Sequence, residues 1–286
     1  MKKSWSILLL GIACCALSVT VSSHLLADEP AEGKIAIVPS AITLRGNDAL
    51  QRLLVTATVD GRQLDVTKQV HFAVSPGGIA EVDSEGLLHP LSDGRATVTA
   101  RWEKRKSTSQ VIVQQAAELS PVSFELQVQP ILVARGCAMG ACHGKARGQN
   151  GFQLSLLCFD PEFDHASLTR HARGRRVFPA APGRSLLLQK PTGQAPHGGG
   201  IRIQPSDHDY VTLRRWIEAG TPRRIEGEPT LERITVYPTE RIMRTQQTQR
   251  LLVTAYFSDA SSRDVTGQTT FQSNQSAIVA VDSDGL

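Results

Sequence analysis

The chain is short of cysteine and methionine, with five Cys and three Met in 286 residues. Cys14 and Cys15 fall in an apolar stretch near the N-terminus, which leaves Cys137, Cys142 and Cys158 for the rest. An odd count of three excludes a disulfide framework. A nucleotide-binding glycine loop, a Gly-x-Ser-x-Gly elbow and a His-Glu-x-x-His helix are all missing, so no catalytic motif supports a substrate reaction. Strong charge is lacking too. The formal net charge is +4 and drops to +2 once Lys2 and Lys3 are set aside, which gives no sign of nucleic-acid binding. The apolar run from Ile7 to about Val21 is too short and too poorly flanked for a transmembrane span.

That run follows Met1-Lys2-Lys3 and leads into polar and small residues, the pattern of a secretory signal over 1–27. Cleavage falls after Ala27, with Ser23 as the other option. A lipoprotein reading at Cys14 is disfavoured because Gly11 stands where Leu is wanted. The protein is thus expected to be exported, to the periplasm or the cell envelope and surface.

An internal repeat divides the remainder. Arg52-Leu-Leu-Val-Thr-Ala57 recurs as Arg250-Leu-Leu-Val-Thr-Ala255, Asp65-Val-Thr67 as Asp264-Val-Thr266, and Val82-Asp-Ser-Glu-Gly-Leu87 as Val281-Asp-Ser-Asp-Gly-Leu286. The first copy spans 34–115. Its short segments rich in Val, Ile and Thr, separated by Asp-Gly and Gly-Gly turns, predict a β-sandwich. The second copy spans 231–286. Leu286 matches Leu87, after which the first copy still supplies Gly94 to Val113, so the second copy is expected to be truncated before its final strands. The Val82 to Gly86 turn, followed by Gly94-Arg-Ala-Thr-Val-Thr-Ala100, resembles the bacterial immunoglobulin-like group 2 family, which implies Ig-like modules with a surface or protein ligand.

Between the copies, residues 137–143 read Cys-Ala-Met-Gly-Ala-Cys-His. Two thiols with an imidazole directly after the second form a variant of the c-type haem attachment site, in which the thiols form thioethers with the haem vinyls and the imidazole ligates iron. Four residues separate the thiols here instead of two, and Gly140 makes the wider loop sterically cheap. The rival chemistries are zinc, with Cys158 or His165 as a fourth ligand, and a Cys137–Cys142 disulfide. Zinc sites usually present a second paired set, which is lacking, and a disulfide leaves His143 idle. Residues 123–135 place Phe124, Val128, Ile131 and Leu132 on one helical face. Ser206 can cap a helix carrying Tyr210, Leu213, Trp216 and Ile217 that stops at Gly220.

Residues 119–222 resemble the cytochrome c-like domain of planctomycete-type exported proteins. The match rests on Val128 to Gly136 ahead of Cys137, on Cys142-His143-Gly144, and on Gly151-Phe-Gln-Leu-Ser-Leu-Leu157, Phe159-Asp-Pro161, Pro182-Gly-Arg-Ser-Leu-Leu-Leu188 and Trp216-Ile-Glu-Ala-Gly220. It implies covalent haem c on Cys137 and Cys142 with His143 on iron, and a redox partner in the cell envelope. Beyond Met1, the sequence holds only Met139 inside the loop and Met243 in the second repeat, so a distal Met is lacking. His197, in Pro196-His-Gly-Gly-Gly200, stands about where related cytochromes carry that Met and is taken as the second iron ligand, ahead of His165, His171 and His208. The basic run Arg170 to Arg176 reads as a solvated loop, with haem propionates or an acidic partner as the functional option. Asp282-x-Asp284-Gly285 reads as a turn rather than a calcium loop.

The expected architecture is therefore multidomain: all-β immunoglobulin-like sandwiches flanking a mainly α cytochrome c-like domain. Its expected role is electron transfer. The competing reading is an envelope scaffold or adhesion protein whose central Cys-His domain carries no haem.

Overall fold

The structure, a computed structural model, describes residues 33–286; the signal reading of 1–27 and the reading of Cys14 lie outside them. The first repeat holds strands β1 (Lys34–Val38), β2 (Ala41–Arg45), β3 (Gln51–Arg52), β4 (Leu54–Val59), β5 (Arg62–Asp65), β6 (His71–Ser75), β7 (Ala80–Val82), β8 (Leu87–Pro90), β9 (Gly94–Trp102) and β10 (Arg105–Gln114). They form sheets of order β1-β4-β5, β2-β10-β9-β6 and β3-β8-β7. β2 was not foreseen. Its alternation buries Ile42 and Leu44, and it runs parallel to β10 from Gln110 opposite Ala41 to Gln114 opposite Arg45. Leu53, Val55, Ala57, Leu88, Val98 and Val111 meet in one apolar core, whose burial supplies the main stabilising force of this part.

Helices α1 (Gln129–Ala134), α2 (Pro161–Thr169), α3 (Leu186–Gln189) and α4 (His208–Glu218) belong to the central segment. A wide turn over Phe124–Val128, capped by the Ser123 hydroxyl on the Leu126 N–H, leads into α1. Phe124, Val128, Ile131 and Leu132 are buried with Leu168, Leu188, Leu213, Trp216 and Ile217 in a second core. The Asp160 carboxylate caps α2 at the Phe163 N–H, and Pro161 sits in its first turn. The N-cap of α4 is Asp207 rather than Ser206, and its side chain is turned back to the Gln204 N–H. Gly220, at φ 84°, ends the helix. The second repeat supplies β11 (Leu231–Tyr237), β12 (Leu252–Phe257) and β13 (Ser262–Asp264) in one sheet of that order, with Ile234 and Val236 of β11 exposed.

Sandwiches around a mainly α domain are not what forms. Strand exceeds helix, at 28% against 20%, and the strands fall into four small sheets. The central segment holds four short α-helices, the longest of 11 residues, joined by turns and loops. Its composition gives the reason. Gly140, Gly144, Gly148 and Gly151 follow within twelve residues, and Pro179, Pro182, Pro191 and Pro196 alternate with five glycines up to Gly200. Each breaks helical hydrogen bonding or favours a turn. Among the described residues, no helix is long and apolar enough to cross a membrane.

Candidate functional site

The loop after α1 is wound tightly on itself. The Cys137 and Ala138 N–H groups both donate to the Leu132 carbonyl, Cys142 N–H to Met139, and His143 N–H to the Cys137 carbonyl at 3.0 Å. The His143 carbonyl in turn accepts from Leu154 N–H at 2.8 Å, so the main chain of the histidine is held on both sides. Gly144 makes this packing possible, because a Cβ there would stand 2.0 Å from the Ala138 carbonyl oxygen. The local reason for Cys-His-Gly is thus visible in the backbone: the four-residue insert folds under the residue that follows the imidazole.

Cys137, Cys142, His143 and His197 all line one cavity of about 480 Å³. Such a volume is within the range of small-molecule and cofactor sites. Its apolar wall includes Ile131, Leu132, Leu168, Leu187, Ile203 and Leu213. The rings of His143 and His197 lie 6.4 Å apart between centroids and within 9° of parallel. The Nδ1 of His143 is 3.0 Å from the Phe152 carbonyl oxygen, and the Nδ1 of His197 is 2.8 Å from that of Gly200. A carbonyl can only accept, so each Nδ1 carries the proton and each Nε2 keeps its lone pair. Gly199 leaves the room His197 needs, since a Cβ there would come within 2.9 Å of the ring.

Burial is the main effect on the titration of the site. It holds His143 below the ordinary imidazole value, against the pull of its bond to the Phe152 carbonyl, and so favours the neutral ligating form. Burial likewise pushes the Cys137 thiol up to about 11, with Arg202 acting the other way. Among the described residues, Cys137, Cys142 and Cys158 are free thiols. Cys158 is buried beside Asp164, away from the cavity lining, and its thiol is raised well above the usual range by burial first and by that carboxylate second.

Cations surround the cavity. Arg175, Arg176, Lys190 and Arg202 line it, and none has a carboxylate partner among the described residues. Arg176 is buried. Its guanidinium donates to the carbonyls of Ser167, His171 and Gly151 and lies 4.5 Å over the Phe152 ring, which packs 4.4 Å from His143. Sequence reasoning took this arginine as part of a solvated loop. The signal in its favour was faint: only the apolar Val177-Phe178 directly after it hints that the run turns inward.

The other candidate histidines stand elsewhere. The Nε2 of His165 is 2.8 Å from the Thr221 carbonyl, and its ring packs on Phe124 and Trp216, a structural position. His171 and His208 are exposed and do not line the cavity. Among the described residues no group of three or more His, Cys, Asp or Glu side chains converges to hold an ion, so the donors for a four-ligand zinc centre do not come together. The Asp282 carboxylate caps its own turn, accepting from the Asp284 and Leu286 N–H groups.

The cavity thus brings two imidazoles with free Nε2 lone pairs to an apolar wall, a lining that would fit a largely apolar group bearing anionic substituents. Two thiols at the same wall and unpaired cations around it complete the set. No family model matches the chain, and no curated protein matches it.

Proposed function

We propose that this is an exported c-type haem-binding protein with an electron-transfer role, whose cofactor occupies the cavity between His143 and His197. The observation that carries the reading is the pair of near-parallel imidazoles, each tethered at Nδ1 to a main-chain carbonyl and each left with a free Nε2. Cys142, and Cys137 across the four-residue insert, would attach the porphyrin by adding S–H across its vinyl groups, sulfur to one carbon and hydrogen to the other. Bound haem supplies a one-electron iron couple. The chain's own residues keep His143 neutral by burial, orient both imidazoles, exclude water with the apolar wall, and offset the charge of carboxylate substituents with Arg175, Arg176, Lys190 and Arg202. Two nitrogen ligands in place of a sulfur one favour a lower reduction potential. An acidic partner in the envelope would complement the cationic rim.

The test is spectroscopic. Produced with a c-type haem maturation system, the protein is expected to carry low-spin ferric haem, and His197→Ala to open one axial site to cyanide while haem stays attached. A low-spin spectrum unaltered by His197→Ala would exclude that residue as ligand, and failure of a folded chain to take up any haem would remove the reading altogether.

A further inference from the structure

The two sequence repeats touch, and they touch reciprocally. The Arg52 N–H donates to the Asp264 carboxylate at 2.7 Å, and the matching Arg250 N–H donates to the Asp65 carboxylate at 2.8 Å. Arg52 Nη1 reaches the main-chain oxygen of Asp284 at 2.6 Å, while Arg250 Nη1 reaches that of Glu85, the residue in the same place of the first copy, at 3.0 Å. Arg250 Nη2 adds a bond of 2.6 Å to the Glu85 carboxylate. Each aspartate divides its two oxygens in the same way. Asp65 Oδ1 accepts from the Thr67 N–H and hydroxyl, and Asp264 Oδ1 from those of Thr266, so one oxygen fixes its own turn and the other crosses to the opposite repeat.

The Arg-Asp core of the contact is therefore made by the same residues on both repeats, the property of a two-fold, self-complementary interface, while the Thr56–Tyr237, Arg241–Gln63 and Arg250–Glu85 side-chain bonds add to it on one side only. Nothing in it requires that the two repeats share one chain. Residues 219–230, which link α4 to β11, form neither helix nor strand and include Gly227 at φ 70°, where a change of direction is sterically cheap. We infer that this Arg-Asp contact is a recognition surface for a like repeat, occupied by the chain's own second copy in the monomer and able to exchange with a second copy of this chain. The resulting dimer would pair the first repeat of each chain with the second repeat of the other. The inference does not depend on haem.

Charge exchange tests it on the full-length protein. One variant carries Arg52→Glu and Arg250→Glu, the other Glu85→Arg and Asp284→Arg. Within either chain like charges then face each other where Arg250 pairs with Glu85, and residue 52 lies beside a residue 284 of its own sign, whereas between the two chains opposite signs meet at both places. Each variant alone is expected to be an opened monomer, with a larger radius in small-angle scattering, and the equimolar mixture to double its molar mass in light scattering. A single chain bearing all four substitutions should be compact and monomeric again, which separates loss of the contact from loss of folding. A mixture that stays monomeric overturns the inference. So would variants as compact as the parent, or a variant that dimerises alone.

Discussion

The clearest side-chain statements concern Gly144 and Cys137. Gly144→Ala would bring a methyl carbon into the Ala138 carbonyl, so the main chain that pins His143 must move. We expect a loss of about 2 kcal/mol or more in denaturant unfolding, near the upper range of single substitutions. For Cys137, a thiol raised to about 11 leaves about one molecule in a thousand as thiolate at pH 8. Alkylation of Cys137 in the folded, haem-free chain should therefore be slow and rise about tenfold per pH unit between 7 and 10, against rapid labelling after denaturation. A pH-independent rate would show that access rather than ionisation limits it. The adjacent Cys142-His143 pair and the flanking family likeness, more than the widened spacing, singled out the two thiols and His143, and the scarcity of methionine pointed to His197. Phe152 and Arg176 were not legible, because the first acts through its carbonyl and the second through burial, and neither is a property of residue type.

At the scale of elements, the junction of α1, α2 and the loop before α2 rests on one carboxylate. Asp164 is fully buried and accepts from the Ser155 N–H at 2.6 Å, the Ser155 hydroxyl at 2.7 Å and the Gln129 amide at 3.1 Å. Asp164→Ala leaves three buried donors short of an acceptor, each costing about 1–3 kcal/mol when left unmade. We expect unfolding at clearly lower denaturant, with Ser155→Ala intermediate, because Asp164 then still holds the main-chain N–H and Gln129. Equal effects of the two would show that the hydroxyl alone carries the junction. The positions of α1 and α4 followed from apolar spacing, since Phe124, Val128, Ile131, Leu213 and Trp216 all enter the core. The extent of helix did not. Family likeness pointed to a mainly α domain, while the glycines and prolines between 140 and 200 speak for turns, and local chain preference prevailed.

For the whole molecule, the repeats were legible because identical or near-identical strings recur in order, but their mutual contact was not. Recurrence of Arg52 as Arg250 and of Asp65 as Asp264 is equally consistent with a purely internal role, and only the crossing hydrogen bonds show that the same residues also meet. The cavity is likewise a property of the assembled chain, since its histidines are 54 positions apart and meet only through the loops around Phe152 and Gly200. The central claim is that haem is held covalently at this cavity. Its most direct measurement is the intact mass of the denatured protein after coexpression with a haem maturation system. The account predicts a mass increased by one haem, unchanged by His197→Ala and abolished by joint Cys137→Ser and Cys142→Ser. A folded parent chain at the bare polypeptide mass would contradict it, as would haem that survives denaturation in the double cysteine variant.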